Sequence, residues 1–486
     1  MTSPAGPVAG TQPPWHRDVL LWLVIGIAIL VRLAVVAEPM RFDESVTYVE
    51  FVLKPWWTVV SSYPYPNNHV LFTILAKLTS SVAPMQPWAI RLPALLAGVA
   101  IVPLTYAVGR ELAGRAEGLI AAALTATATP LVLYSVNARG YSLIAALFLA
   151  ELLLVHRLRS RTDARGWMLF AAISALGAYT IPIMLYPHGI IGTWLALDWA
   201  RTRSPQARAV LVRFAAASAG AALLDLVLYF PIIRGEGLSA LVGNKFVEPQ
   251  SWGTFASQMP RSFVGTVLQW ATPLPLWLAP IPLGLAVAGI VRSRGARPER
   301  PSLALACALW CGALLLATHR VPFMRIWIFL LPLYTVSVGT GLVALAERIR
   351  GLRARPHALA PVLAVGLAFL SLASRSVAGT TETGTFPEAP AVAAALKRQL
   401  RDGDRVLAPI PANGPLLFYF TAEQVETRYL YTRADETRRA FIVLDTTRGQ
   451  SLEWAVQRGM IDPRRFARPH LVGRFGAAEL WVSNAL

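Results

Sequence analysis

At 486 residues the chain is long enough for two or three soluble domains, yet 55% of it is hydrophobic and only 15% charged, with a mean hydropathy of +0.50. That balance excludes an ordinary soluble enzyme and fits a chain that crosses a membrane several times. The net charge of +18 would suggest nucleic acid as a partner of a soluble protein, but in a membrane protein it follows from arginines kept in cytoplasmic loops. The two cysteines, Cys307 and Cys311, lie one helical turn apart in an apolar run. They read as packing residues, which excludes a disulfide framework or a cysteine-based metal site.

The tail before Val19 is short and carries Arg17. The apolar stretch 19–36 is too long for a signal-peptide core and lacks a small-residue cleavage site, so it reads as a retained first span. Further apolar segments at 88–109, 117–134, 141–156, 166–182, 184–200, 210–230, 276–292, 303–318, 323–345 and 358–374 predict about eleven transmembrane helices. Arg17, Arg110, Arg115 and the arginine-rich stretches 157–165, 201–213, 292–300 and 348–355 fall in alternate loops, which places those loops and the N-terminal tail in the cytoplasm. An odd number of spans puts the chain after Ser374, and the long loops 37–87 and 231–275, on the other side. From residue 375 onward charges of both signs return, and the apolar runs shorten to strand-like pieces at 405–408, 441–444 and 480–482. Helix-like segments at 389–401 and 451–458 alternate with them, with turns at 402–404 and 411–415, so the end of the chain reads as a small extracytoplasmic α/β domain. The expected division is a cytoplasmic tail 1–18, a transmembrane domain 19–375 and the α/β domain 376–486. The Ala/Arg/Gly/Pro-rich composition points to a bacterial plasma membrane.

The first outer loop is unusually long for a connection between spans, and long loops are commonly functional. Arg41-Phe42-Asp43-Glu44 follows shortly after the first span, so two carboxylates stand at the membrane surface, where lipid-linked and aqueous reactants can meet. A carboxylate there is suited to take a proton from an acceptor hydroxyl, and a departing phosphate calls for nearby Arg, Lys or His. The alternative is that Asp43 and Glu44 only cap a helix or stay solvated. Further along, Trp56, Trp57, Tyr63 and Tyr65 precede Pro66-Asn67-Asn68-His69 and an apolar helix-like stretch too short to span, which is expected to lie along the interface. His69, at the start of that helix, either meets a phosphate or serves as a capping or packing histidine.

The segments Arg41-Phe42-Asp43-Glu44, Pro66-Asn67-Asn68-His69, Arg91-Leu92-Pro93-Ala94 and Ala138-Arg139-Gly140-Tyr141-Ser142-Leu143, in this order, resemble the family 39 membrane glycosyltransferases. These are GT-C fold enzymes related to protein O-mannosyltransferases and aminoarabinose transferases. The resemblance implies an α-helical polytopic GT-C protein using a polyprenyl-phosphate sugar, with Asp43 in the place of the catalytic aspartate and Glu44 in that of its acidic neighbour. His69 matches the first residue of the family's His-x-Pro-Pro segment, although Leu71 and Phe72 stand where the prolines would be. Arg139 then falls where a guanidinium reaches the donor phosphate or ties loop to helix. Arg325, ahead of Leu330-Leu331-Pro332, matches the family's late arginine, with snorkelling as the bland alternative and Arg320 as a neighbouring candidate. Arg234, Lys245 and Arg261 in the loop 231–275 are further candidates for the donor phosphate.

No His, Cys and carboxylate set has metal-ligand spacing, and no Gly-rich nucleotide loop follows a strand. No cofactor is required, although some GT-C relatives use a divalent metal. The leading expectation is an inverting transfer from a polyprenyl-phosphate sugar to a glycan, lipid or protein hydroxyl, with no nucleic acid as partner. A hydrolase of the same lipid-linked sugar, a transporter or flippase of a lipid-linked glycan, and a non-catalytic envelope scaffold are the competing readings.

Overall fold

A computed structural model of the chain describes residues 15–243, 246–296, 302–431 and 437–486. Its helices run α1 Val19–Leu33, α2 Phe42–Thr47, α3 Trp56–Ser61, α4 Val70–Ser80, α5 Pro87–Leu112, α6 Arg115–Thr127, α7 Thr129–Ser135, α8 Tyr141–Leu158, α9 Ala164–Thr180 and α10 Leu185–Thr202. They continue with α11 Pro205–Glu236, α12 Ser239–Val242, α13 Trp252–Trp270, α14 Pro280–Ala296, α15 Leu303–Thr318, α16 Leu331–Ala346, α17 Leu359–Ala373, α18 Ala389–Lys397, α19 Asn413–Ala422 and α20 Leu452–Gln457. The strands are β1 Asp404–Leu407, β2 Arg439–Asp445, β3 His470–Phe475 and β4 Ala478–Asn484.

Every one of the apolar segments read from the sequence is helical. Among the described residues, however, six helices are long and apolar enough to cross a membrane, or seven if α6 and α7, bent by 60° at their junction, form one broken span. The difference from eleven lies in short or polar helices. α1 and α15 have 15 and 16 residues, below the roughly 20 that a bilayer core asks for, and α10 carries His188 and Asp198 within its length.

Two compact units emerge. The first holds the residues up to Ala34, Ala94–Val136 and Gly140–Val377, and the second holds Val35–Pro93, Asn137–Arg139 and Ala378–Leu486. In the first unit Leu21, Val24 and Ala28 of α1 pack with Val102 and Tyr106, with Leu119, Ala122 and Ala126 of α6, and with Ala360 and Ala364 of α17. α14 and α16 meet backbone to backbone, because a Cβ on Gly289 would strike the Ser337 carbonyl and one on Gly341 the Leu285 carbonyl. The bend after α6 has a local cause. Pro130 has no N–H to offer the Ala126 carbonyl, and the buried Arg32 donates to that carbonyl instead at 2.9 Å. α11 and α17 leave Leu223, Leu226, Val227, Val362, Val365 and Phe369 exposed, the pattern of a lipid-facing surface. A cleft of about 630 Å³ is lined by α13, α14, α15 and α16, with Trp194, Phe263, Trp270, Leu315, Trp327 and Val336 among its apolar walls.

The second unit contains a mixed four-stranded sheet in the order β1-β2-β4-β3. β1 runs parallel to β2, pairing Asp404 with Arg439, whereas β4 is antiparallel to both β2 and β3. Val406, Phe441, Val443, Leu480 and Val482 bury one face under α18 and α19; Ile442, Leu444 and Trp481 line the other, with Ala455 of α20. The strands around 405–408, 441–444 and 480–482 stand where the sequence indicates them. β3 was not anticipated, because its exposed edge carries His470, Gly473 and Arg474 in place of an apolar alternation. The expected turn at 411–415 is corrected: α19 begins at Asn413, with Pro415 in the first turn, where its missing N–H costs nothing. The loop 37–87 holds α2, α3 and α4, and the loop 231–275 holds α12 and all of α13.

Candidate active site

The candidate site lies in the second unit and is built around α2. Glu44, three residues beyond Arg41, returns its Oε1 to the Arg41 N–H at 2.9 Å, which fixes the helix start as a capping box does. Residues of the C-terminal part of the chain complete that start. The Phe42 N–H donates to the Gly384 carbonyl at 2.8 Å, Arg41 Nη1 donates to the Thr380 carbonyl at 2.9 Å, and the Met40 N–H donates to the Tyr419 hydroxyl at 3.1 Å. Two glycines permit the approach. Gly384 has φ +71 and a Cβ there would stand 2.7 Å from Phe42 Cβ, while one on Gly414 would stand 3.0 Å from Phe42 Cα. Burial pushes the Tyr419 phenol above its ordinary pKa.

The two adjacent acids are treated very differently. Glu44 is fully buried against Arg91. Its Oε2 accepts from Arg91 Nε at 2.9 Å and from the Ala138 N–H at 2.8 Å, and its Oε1 from Arg91 Nη2 and the Arg41 N–H. The rest of the guanidinium is used as fully: Nη1 donates to the carbonyls of Val36 and Glu38 at 2.6 and 2.7 Å, and Nη2 to that of Pro39 at 3.2 Å. Every N–H of Arg91 therefore has an acceptor. A buried ion pair saturated in this way is a fastening, with no lone pair left for a substrate.

Asp43 keeps 15% of its side chain exposed and faces Arg139, with Nη1 3.7 Å from Oδ2. Its backbone is held, since its carbonyl accepts from Thr47 Oγ1 at 3.0 Å and from Asn67 Nδ2 at 3.3 Å. Arg139 also touches His69, with 3.0 Å between Nη2 and Nε2. A guanidinium can only donate, so Nε2 accepts and His69 is a neutral ring carrying its proton on Nδ1. His69 occupies the N-cap position of α4 but makes no side-chain capping bond. The arrangement is a partly open carboxylate, a buried cation beside it and a neutral histidine behind the cation.

Of the residues chosen from sequence, the structure thus gathers Asp43, Glu44, His69 and Arg139 in one unit. Arg234, Arg261, Arg320 and Arg325 belong to the other, and Lys245 lies outside the described residues. Arg325 Nε donates to the Tyr141 hydroxyl at 3.1 Å, and its guanidinium stands 4.2 Å from the Phe323 ring. Arg234 and Arg261 are exposed. Among the described residues no three His, Cys, Asp or Glu side chains come together as a metal-binding group. Sequence reasoning assigned no role to Arg91, Asn67 or Gly384. The available signal was an arginine at the fifth residue of an apolar helix, which persists only where an anion or carbonyls receive it.

The helical membrane architecture and the small C-terminal sheet domain are similar to those of solved GT-C glycosyltransferases. Residues 68–221 match the family model described as dolichyl-phosphate-mannose-protein mannosyltransferase, a stretch that includes His69, Arg91 and Arg139. Among solved structures, ArnT from Cupriavidus metallidurans in the apo state is similar over 95% of this chain and 97% of that chain, with a TM-score of 0.64 at 12% identity. The same protein bound to undecaprenyl phosphate gives 0.62 at 13% identity, again over 95% and 97%. The archaeal oligosaccharyltransferase AglB from Archaeoglobus fulgidus, in complex with an inhibitory peptide and a dolichol-phosphate, gives 0.53 at 13% identity over 96% of this chain and 74% of that one. At these identities the likeness is one of fold. Among curated proteins nothing matches.

Proposed function

We propose that this chain is an inverting glycosyltransferase of a bacterial plasma membrane, moving a sugar from a polyprenyl-phosphate donor to an acceptor hydroxyl outside the cytoplasm. The observation that carries the reading is the contrast between the two acids: Glu44 is saturated by Arg91, Arg41 and Ala138, while Asp43 retains an exposed edge. Asp43 takes the acceptor proton as the hydroxyl oxygen attacks the anomeric carbon, and the bond from that carbon to the phosphate oxygen breaks with its electrons going to the phosphate. In an inverting displacement the leaving oxygen departs on the side opposite the base. A guanidinium 3.7 Å from Asp43 therefore serves first to orient the base, with His69 holding that guanidinium. Lipid phosphates bound by ArnT and AglB of the same fold favour a lipid donor.

The test is transfer by the purified chain in nanodiscs, with undecaprenyl-phosphate mannose as the probe donor and products analysed with and without added acceptors. Asp43→Asn should lower turnover by about 10²–10⁴-fold, the usual worth of a general base, while leaving the folded protein intact. Turnover at the wild-type rate would dismiss Asp43 as the base. Release of free sugar regardless of acceptor would make the chain a hydrolase.

A further inference from the structure

Charge is unevenly spread over the C-terminal part of the chain. Between Arg458 and Arg474 stand five arginines, no lysine and a single acid, Asp462, whereas the remainder of 378–486 holds nine basic and eleven acidic residues. The fold collects this excess along one edge of the sheet. β3 is bonded to β4 alone, and the chain before it prolongs the same edge. Phe466 bridges Ala485, the Ala467 N–H donates to the Asn484 carbonyl at 2.9 Å, and the Leu486 N–H donates to the Arg465 carbonyl at 2.9 Å. At about 3.3 Å per residue the stretch from Phe466 to Phe475 makes an edge of roughly 30 Å, and Arg464, Arg465, Arg468, His470 and Arg474 are exposed on or beside it. Aromatic surface accompanies the charge. Arg474 pairs across the strands with Glu479 at 3.0 Å, Leu471 lies opposite Trp481, and the Arg458 guanidinium stands 5.7 Å from the Trp454 ring. Trp454 and Trp481 are both half-buried.

We infer that this edge binds an anionic glycan, a chain of sugars bearing phosphate or carboxylate groups, and presents it as acceptor. The word acceptor rests on the glycosyltransferase reading; the binding does not. Charge complementarity selects an anion. The guanidinium forks of these arginines match planar, two-oxygen acid groups. Half-buried indole rings give sugar rings an apolar platform. A neutral peptide adding to the sheet is disfavoured, because charged side chains on an edge strand oppose strand pairing.

The experiment uses the full chain in phosphatidylcholine nanodiscs. Fluorescent oligogalacturonate and poly(glycerol phosphate) are the anionic probes, maltodextrin of equal length is the neutral control, and phosphatidylglycerol vesicles form the lipid arm. Wild type should bind at least one anionic probe with an affinity that falls as salt rises, and should ignore maltodextrin. The combined variant Arg464→Glu, Arg465→Glu, Arg468→Glu should weaken that binding by roughly tenfold or more, with unchanged melting. Failure of wild type to bind either polyanion, or equal binding by the variant, overturns the inference. So does a loss confined to the vesicles, which would make the edge a bilayer contact. If polyanion binding holds but no sugar is ever transferred, the glycosyltransferase reading falls and the glycan-binding edge stands.

Discussion

Replacing Glu44 by glutamine should unfold the second unit more readily, while the analogous change at Asp43 should not. Glu44 is fully buried and receives Arg91 Nε, Arg91 Nη2 and the N–H groups of Arg41 and Ala138. Glutamine offers one acceptor oxygen and turns an NH₂ toward donors, so some of those N–H groups lose their partner and Arg91 becomes a buried cation without its anion. Removing one member of a buried pair costs about 3–5 kcal/mol. For a unit of this size that is a fall in Tm of roughly 6–20 °C. Asp43, by contrast, sits 3.7 Å from Arg139 with its side chain partly exposed, and its replacement by asparagine should cost less than the change at Glu44. The assay is thermal unfolding of wild type, Glu44→Gln and Asp43→Asn in the same detergent, read by size exclusion after heating, beside the transfer rate at a temperature where all three are folded. Should Glu44→Gln melt with wild type yet lose transfer, Glu44 would be a participant in the chemistry and not a fastening.

Arg91→Lys should reproduce most of the Glu44→Gln destabilisation, about 2–4 kcal/mol by the same unfolding assay, because an ammonium cannot meet Glu44 and three carbonyls together; wild-type stability would contradict the bonding described. Gly414→Ala places a Cβ 3.0 Å from Phe42 Cα, so the start of α2 must shift; a displacement approaching 1 Å at the base should lower kcat by up to about 100-fold, and wild-type kcat would show that the C-terminal segment does not set Asp43. His69→Gln retains an acceptor for Arg139 and should keep more activity than His69→Leu; equal rates for the two would remove His69 from the support of Arg139. Arg325→Gln should raise the donor KM in steady-state kinetics if that guanidinium meets the donor phosphate, and an unchanged KM would confine it to its bond with Tyr141.

Much of this molecule was legible one segment at a time. Apolar runs forced helices wherever they occurred, because backbone groups in an apolar setting must bond within their own segment, and strands β1, β2 and β4 followed from compact apolar clusters. Asp43, His69 and Arg139, singled out by short motifs, lie together in one unit. The resemblance set Asp43 in the place of the catalytic aspartate with Glu44 beside it, but the full burial of Glu44 was not legible: the two are neighbours of like charge, and the difference depends on Arg91, 47 residues beyond Glu44. The hold of Gly384 and Tyr419 on the start of α2 crosses more than three hundred residues of chain, and Tyr419 Oη reaches the Met40 N–H from 379 positions away. β3 escaped notice because an edge strand needs only one partner and no buried alternation. Residue types and spacing thus determined the helices and the chemical inventory of the loop 37–87. Only tertiary structure decided how that inventory is divided, because the value of a buried charge depends on what surrounds it in space and not on its neighbours along the chain.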